Sequence, residues 1–258
     1  MLRNIKELLT YRALVSTLVT RELNARYRGS VLGFFWTFLN PLLLTLVYSF
    51  VFDVAMRSNL SNYTYYVIAG LLPWLAFSGA VGSGCVSICD RRDLLSKTRL
   101  PAQILPLVTV LSNTANYLFG LPILFAFALI VQAPLGWPLL SLPLVVAVQI
   151  VVSHALALFL ASANVFFRDL QHIIGNLLTL LFFLCPVVYQ IRAVPKEYQF
   201  LFEWNPFAHM IGAYHDIFYY DRWPNFAALG ALLGGAAIVL WLSNRYYDSR
   251  HEAFAELA

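Results

Sequence analysis

Charge is the component that this chain has least of. Of its 258 residues only 12% are charged, whereas 60% are hydrophobic and 16% aromatic, and the mean hydropathy is +0.70. Soluble domains are about 25% charged and about 45–50% apolar, so these charges are too few to cover a soluble globule of this size. The composition excludes a soluble enzyme, a disordered chain and a coiled coil, and it indicates an integral membrane protein.

Catalytic and metal-binding motifs are missing as well. The sequence has no glycine-rich loop ending in Gly-Lys-Ser/Thr, so it cannot cradle ATP in a P-loop, and it has no G-x-S-x-G, H-E-x-x-H or C-x-x-C motif. Its three cysteines lack the paired spacing of a disulfide scaffold or a zinc ribbon. We therefore expect no catalytic residue, no metal site and no cofactor in this chain.

Long uncharged runs occupy most of the sequence. A membrane-spanning helix needs about 20 apolar residues, and the runs divide into six segments of that order. The longest run, residues 100–167, is interrupted by a Pro/Gly-rich turn at 133–138 and therefore holds two spans. The prediction is an all-α membrane protein with six spans, at about residues 31–52, 63–88, 104–131, 139–163, 170–190 and 223–244.

The distribution of Lys and Arg predicts the orientation. Thirteen of the 17 basic residues fall on one side of the membrane if the N-terminus is cytoplasmic, and basic residues favour that side. Both termini are therefore expected in the cytoplasm. The first 30 residues carry recurrent charges without an uninterrupted apolar core, so they do not resemble a cleaved signal peptide. We expect a multi-pass protein of the bacterial inner membrane.

Two segments on the inner side have distinct patterns. Residues 2–23 show the apolar spacing of an amphipathic helix in the membrane interface, within a unit 1–30 that leads into the six-helix domain 31–258. Residues 90–100 predict a short charged helix, which Asp90 caps and Pro101 ends. This second segment is either a plain basic loop or a docking surface for a cytoplasmic subunit.

The outer connection at 191–225 is long and unusually aromatic. Its Asn205-Pro206 pair is typical of a helix start, since Asn caps the helix and Pro fits its first turn. We predict two short re-entrant helices at about 196–220 that dip into the outer interface. The aromatic side chains form either an ordinary interfacial belt, a packed gate or a sugar-stacking surface.

Four stretches, in chain order, resemble the type-two ABC exporter permeases. The match is closest to the Wzm-type membrane subunit of O-antigen and related polysaccharide transporters. The stretches are Arg21–Gly33 running into Trp36 and Asn40-Pro41; Leu94–Pro106; Asn164–Leu170; and Cys185-Pro186-Val187-Val188-Tyr189 followed by Trp204-Asn205-Pro206. The family more often has Ser at the position of Cys185. The resemblance covers essentially the whole chain in collinear order.

This resemblance implies a transport subunit rather than an enzyme. Two copies would pair, and each would bind a separate P-loop ATPase subunit that holds ATP and Mg²⁺. The substrate would be a long glycan on a polyprenyl-pyrophosphate lipid, and no nucleic acid is expected. The coupling helix at 90–100 would dock the ATPase through Asp90, Arg91, Arg92, Asp93, Leu94, Leu95, Lys97 and Arg99. The outer gate would include Tyr198, Trp204, Phe207 and Tyr214.

The residues suggest how such a substrate would be handled. Arg21, Arg26 and Arg28 lie near the inner membrane surface, and Arg binds phosphate oxygens in bidentate geometry. We hypothesise that they receive the lipid headgroup; the alternative is simple positive-inside anchoring. A glycan that slides needs many weak contacts, which aromatic faces provide. Candidate conduit residues in spans one and five are Trp36, Tyr48, Phe182 and Tyr189.

Two other functions remain open from the sequence. One is a type-two ABC permease that exports a small molecule, a drug or a lipid, which would share the same fold. The other is a membrane enzyme such as a lipid-linked sugar transferase, which would need acidic catalytic residues near the interface. Its outer candidates are Asp53, Glu197, Glu203, Asp216 and Asp221, and they form no recognisable motif.

Overall fold

The computed structural model of the chain describes residues 11–57, 60–91, 95 and 101–257, with side chains described up to Tyr246. In this part of the chain, five helical segments are long and apolar enough to cross a membrane, and a sixth is shorter. The spans, numbered one to six, are Gly33–Ala55, Tyr63–Val86, Ile104–Ile130, Trp137–Asn164, Leu170–Phe183 and Phe226–Tyr246. The predicted all-α class with six spans is confirmed.

The bounds of the spans reflect local backbone chemistry. Span one combines a 3₁₀ turn at Gly33–Phe35, an α-helix at Trp36–Ser49 and a π-helical end at Phe50–Ala55. Span four begins with a 3₁₀ turn at Trp137–Ser141 that carries proline in its first turn, followed by the α-helix Leu142–Asn164. The helix of span six continues to Leu257. Span five is only 14 residues long and ends at Phe183, well before the predicted residue 190.

A helix at Arg12–Tyr27, called here the N-terminal helix, precedes span one. A helix was predicted at residues 2–23. Residues 2–10 of that range lie outside the described part of the chain, and the observed helix ends four residues later than predicted. Its apolar side packs on span three, where Val15 meets Ile104 and Val108. We call the membrane side that holds this helix the inner side and the opposite side the outer side.

Span two is the central element of the molecule. It packs against spans one, three, four and five, and almost all of its length from Tyr63 to Cys85 is buried. Two of its glycines allow unusually close approach of neighbouring elements. A Cβ on Gly70 would lie 2.6 Å from the His215 ring, and a Cβ on Gly79 would lie 2.7 Å from the Asn113 amide oxygen.

The connection between spans five and six enters the protein deeply. After the short helix Phe200–Glu203, the helix Pro206–Phe218, called here the re-entrant helix, runs alongside span two. At its first turn the Phe207 ring lies 5.1 Å from Phe77, past the middle of span two. At its other end the Phe218 carbonyl accepts a hydrogen bond of 2.9 Å from Tyr65, near the outer end of span two.

The two short re-entrant helices that were predicted are present, but the second of them reaches deeper than the outer interface into which they were predicted to dip. The re-entrant helix is a core element because one face of it is fully buried, including Met210, Ile211, Tyr214 and Phe218. Its buried polar side chains form hydrogen bonds inside the protein, because polar groups at membrane depth have no water to bind. Tyr214 donates a hydrogen bond of 2.7 Å to Gln149 of span four, whose amide in turn donates to the Pro73 carbonyl at 3.1 Å.

Candidate functional site

A cavity of about 370 Å³ lies where the N-terminal helix meets spans one, two and three. It is partly open and has an unusual share of amide and hydroxyl groups for a site among apolar spans. The lining residues that carry these groups or the positive charge are Arg26, Tyr27, Thr37, Asn40, Asn113, Asn116 and Tyr117. Polar groups at this depth are expensive unless they serve binding or pair with one another, so the cavity is the candidate substrate site.

Arg26 brings a positive charge to the cavity. Its side chain, 29% exposed, donates one hydrogen bond of 3.2 Å to the Asn113 amide oxygen. A second guanidinium nitrogen pairs with Glu22 at 3.2 Å, one helical turn earlier. Asn113 is a neutral acceptor, so its hydrogen bond holds the guanidinium in place without compensating the positive charge, whereas Glu22 compensates part of it. The guanidinium is therefore positioned to bind an anionic group that enters the cavity.

Asn113 is in turn fixed by spans two and three. Its amide nitrogen donates to the Thr109 carbonyl at 2.8 Å, which leaves the amide oxygen to face Arg26. The absent side chain of Gly79 provides the space that this amide occupies. A residue larger than Gly at this point of span two would displace the acceptor of Arg26.

A second hydrogen-bond chain crosses the same cavity. The Thr37 hydroxyl donates to the Tyr27 hydroxyl at 2.6 Å, and Tyr27 donates to the Asn116 amide oxygen at 3.2 Å. Three elements are joined in this way: the N-terminal helix, span one and span three. The groups that remain available for a ligand are neutral donors and acceptors, which suit hydroxyl-rich molecules.

The other two arginines predicted to receive a headgroup lie differently. Arg21 is exposed on the N-terminal helix, and Arg28 is exposed just after its last residue. Neither lines the cavity. Of the three arginines, Arg26 is thus the one that lines the cavity and contacts its asparagine side chains, through Asn113.

The four predicted conduit aromatics separate into two groups. Trp36 is 43% exposed and lines the cavity. Tyr48 of span one packs on Phe182 of span five with ring centroids 5.4 Å apart, and Phe182 is buried. Tyr189 is half-buried; its hydroxyl donates to the Phe183 carbonyl, and its ring contacts Phe202. Spans one and five are therefore in contact through one pair of the aromatic residues predicted to line the path, Tyr48 and Phe182.

The predicted ATPase-docking residues are only partly described. Asp90 is exposed at the inner end of span two, and Arg91 pairs with Glu22 of the N-terminal helix at 2.6 Å. Leu95 is half-buried and packs on a small cluster of Ile88, Ala102, Ala161 and Val165. The remaining five lie outside the described residues: Arg92, Asp93, Leu94, Lys97 and Arg99.

The predicted gate residues also occupy two environments. Tyr198 and Trp204 are exposed, Trp204 by 85%, whereas Phe207 is half-buried and Tyr214 is completely buried. Trp204 lies at the bottom of the re-entrant segment, immediately before Asn205. The exposed indole is thus at the depth of the middle of span two, rather than at the outer surface where the sequence placed it.

Asn205 holds the bottom of the re-entrant segment together. Its side-chain oxygen accepts from the Phe207 amide at 3.0 Å and caps the re-entrant helix, as the sequence predicts. Its side-chain nitrogen donates to the Leu184 carbonyl at 2.8 Å, at the end of span five. One amide therefore satisfies both a helix start and a helix end at membrane depth.

Sequence reasoning did not identify Glu22, Asn113 and Asn116 as site residues. The sequence could have identified the two asparagines. They lie three residues apart on one face of an apolar span, where an amide group is energetically costly unless it binds a ligand or another polar group. Glu22 showed no such pattern. Its two partners are four residues and 69 residues away along the chain, and the second of these contacts depends on the tertiary fold.

Comparison with known proteins identifies the class. Residues 13–219 match the family model described as ABC-2 type transporter. The chain belongs to the ABC-2 type transporter membrane family. It is therefore a membrane-embedded transport subunit rather than an enzyme, and the sugar-transferase alternative is set aside. Membership in this family implies a partner ATPase subunit.

Individual relatives narrow the comparison. An O-antigen export system permease protein RfbA of Myxococcus xanthus is 44% identical over 258 residues, which cover 99% of each chain. A protein of the same name from Klebsiella pneumoniae is 28% identical over 207 residues, or 80% of each chain. The polysialic acid transport protein KpsM of Escherichia coli is 22% identical over 255 residues, 93% of this chain and 94% of that protein.

Proposed function

We propose that this chain is the permease subunit of an ATP-driven exporter of O-antigen-type polysaccharide. The glycan crosses the bacterial inner membrane on a polyprenyl-pyrophosphate carrier, and both termini of the permease lie in the cytoplasm. The observation that carries the proposal is the 44% identity, over the whole chain, to a protein named O-antigen export system permease. The cofactor chemistry belongs to the partner, whose ATPase holds ATP and Mg²⁺.

The inner cavity supports a polyprenyl-pyrophosphate-linked glycan as the substrate. A pyrophosphate needs concentrated positive charge, and the Arg26 guanidinium at the cavity provides bidentate donors. The first sugar needs neutral hydrogen-bonding groups and a flat apolar face. The asparagine amides and the Trp36 indole beside Arg26 provide both. Arg21 and Arg28 are exposed nearby and extend the positive surface that attracts the headgroup.

A homodimer supplies the conduit in this proposal. The interior of one copy is filled by span two, which is largely buried by the neighbouring spans, so we place the path for the glycan between two copies. In this proposal Trp36, Tyr48, Phe182 and Tyr189 lie beside the path, which is supported by the contact of Tyr48 with Phe182 and by the exposure of Trp36. Glu203, Trp204 and the start of the re-entrant helix then form the constriction through which the glycan leaves.

The experiment is complementation of a strain from which the gene has been deleted, followed by analysis of lipid-linked polysaccharide. The native chain restores polymer at the cell surface. We expect Arg26→Ala and Arg28→Ala to reduce surface polymer at least several-fold, because each change removes a positive charge offered to the headgroup. The permease should still copurify with its ATPase, because neither residue lies in the segment 90–100 that is predicted to dock it. Arg12→Ala is the matched control, since Arg12 begins the same helix and is exposed away from the cavity.

Two outcomes of the deletion and one outcome of the arginine variants separate the candidate functions. Polymer that is synthesised but trapped on the cytoplasmic side supports the proposal. Polymer that reaches the surface unchanged contradicts it and favours the exporter of a small molecule. Surface polymer equal to native in both arginine variants contradicts the headgroup site while leaving glycan export in place.

A further inference from the structure

We propose that Glu22 couples the ATPase-facing turn at Arg91 to the charge that Arg26 offers to the substrate headgroup. The proposal rests on the headgroup site described above and assigns its regulation. Glu22 is a positioning residue: it touches neither the headgroup nor ATP. It sets how much of the Arg26 charge is available for a phosphate.

One carboxylate is shared by two guanidinium groups. Glu22 accepts from Arg91 at 2.6 Å through one oxygen and from Arg26 at 3.2 Å through the other. Its side chain is only 13% exposed, and both arginine side chains are 29% exposed. Because the group is largely shielded from water, these pairs are screened less than surface ion pairs.

The two arginines belong to parts with different tasks. Arg91 ends the 3₁₀ turn Cys89–Arg91 at the inner end of span two, at the start of the segment predicted to dock the ATPase. Arg26 lies on the N-terminal helix and reaches Asn113 beside the cavity. Glu22 is therefore a direct electrostatic link between the docking turn and the candidate substrate site.

Because the two arginines share one negative charge, the position of Arg91 determines whether the affinity for the headgroup rises or falls. When Arg91 holds Glu22 closely, the carboxylate is largely neutralised, and Arg26 keeps its charge for a phosphate. When the docking turn moves and Arg91 withdraws, Glu22 pairs fully with Arg26 and competes with the headgroup. Arg91 contact thus corresponds to high headgroup affinity, and its loss corresponds to release. Such coupling is reciprocal for binding equilibria.

The test measures binding of geranylgeranyl pyrophosphate to the permease–ATPase complex in lipid nanodiscs. We expect Glu22→Gln to bind the probe about three- to tenfold more tightly than native, and Arg91→Gln to bind it more weakly by a similar factor. The double variant should behave like Glu22→Gln, because without the carboxylate Arg91 has nothing to neutralise. Arg222→Gln is the matched control: it removes an ion pair with Asp216 at 2.6 Å on the outer side and should leave the affinity unchanged.

The two variants are expected to change the affinity in opposite directions. A loss of folding would only weaken binding, so it could not explain tighter binding by Glu22→Gln. A second readout compares the complex with ADP and with a non-hydrolysable ATP analogue. The native complex should show two affinities for the probe, and Glu22→Gln should show one. Shifts in the same direction for Glu22→Gln and Arg91→Gln, or a nucleotide effect that survives in Glu22→Gln, would overturn the coupling.

One more variant and one more probe distinguish failure of the Glu22 coupling from failure of the headgroup site itself. Arg26→Gln should abolish most of the binding; if it has no effect, the headgroup site is wrong, and the coupling falls with it. Inorganic pyrophosphate should compete only weakly, because it lacks the prenyl chain. If inorganic pyrophosphate displaces the probe at an equal concentration, the site binds free pyrophosphate. That result would overturn the claim that it binds a lipid headgroup.

Discussion

Gly79 shows how a single residue in the middle of span two controls a side chain on another element. The position tolerates no Cβ without movement, since the nearest atom to such a Cβ is the Asn113 amide oxygen at 2.7 Å. That oxygen is the acceptor for Arg26. The small size of residue 79 therefore determines where the positive charge of the cavity lies.

We expect Gly79→Ala to reduce polysaccharide export several-fold without loss of the folded protein. Ala is the better helix former by about 1 kcal/mol, so the helix itself should not weaken, whereas the Asn113 amide must move away from Arg26. Gly82→Ala is the matched control, because its Cβ would meet only Leu178 at an ordinary 3.6 Å. Surface polymer and thermal stability are measured for both. Equal export by the two variants would contradict the role of Gly79.

At the scale of elements, the re-entrant helix is held at both ends and along its length. Asn205 joins its start to the end of span five, Tyr214 joins it to span four, and His215 stacks on Tyr66 with ring centroids 4.0 Å apart. The ring nitrogen of His215 also lies 3.0 Å from the Tyr66 carbonyl. Movement of this helix alone would break all of these contacts. In the proposed homodimer, we therefore expect a gate built on this helix to open by movement of the two copies relative to each other.

Asn205 is the contact whose loss should cost most. Asn205→Ala removes a helix cap, worth about 1 kcal/mol, and also removes the hydrogen bond to the Leu184 carbonyl, worth about 1 kcal/mol more. Asn225→Ala is the control, because Asn225 caps span six through the Ala228 amide at 3.1 Å at the exposed outer end. Thermal unfolding in detergent should show a clearly larger loss for Asn205→Ala. Equal losses would mean that the contact with span five contributes little.

At the scale of the whole molecule, apolar surface is distributed unevenly over the spans. Span two is largely buried, whereas span one exposes Leu46, Val47 and Phe50, and span five exposes Leu177 and Leu180. Surface of this kind faces either lipid or another protein chain. Because the predicted conduit aromatics lie on spans one and five, the proposed homodimer places these two spans at the interface.

Cysteine cross-linking tests this arrangement in native membranes. We expect Val47→Cys and Leu180→Cys to give covalent dimers with a short bis-maleimide, whereas Ile238→Cys on span six should give none. All three positions are at least half exposed in one copy, so exposure alone does not decide the result. The native Cys85 and Cys185 are buried, and the third cysteine, Cys89, is replaced by Ser in the background chain. Dimers through Ile238→Cys alone would place the interface at span six.

The amino-acid sequence by itself determined the class of the protein and the number and order of its spans. The thickness of the bilayer sets the length of each apolar run, and this constraint is local to each run, so counting residues between charges was sufficient. The helix start at Asn205-Pro206 was predictable for the same reason: a cap involves only neighbouring residues.

Only the tertiary structure decided the depth of the re-entrant helix, the early end of span five and the fact that Arg26, rather than Arg21 or Arg28, lines the cavity. Each of these depends on contacts between residues far apart in the chain, such as Arg26 with Asn113 and Asn205 with Leu184. An apolar, aromatic segment has the same pattern whether it lies on the outer surface or in the core. Its position is set by the partners that satisfy its polar groups, and no local pattern encodes those partners.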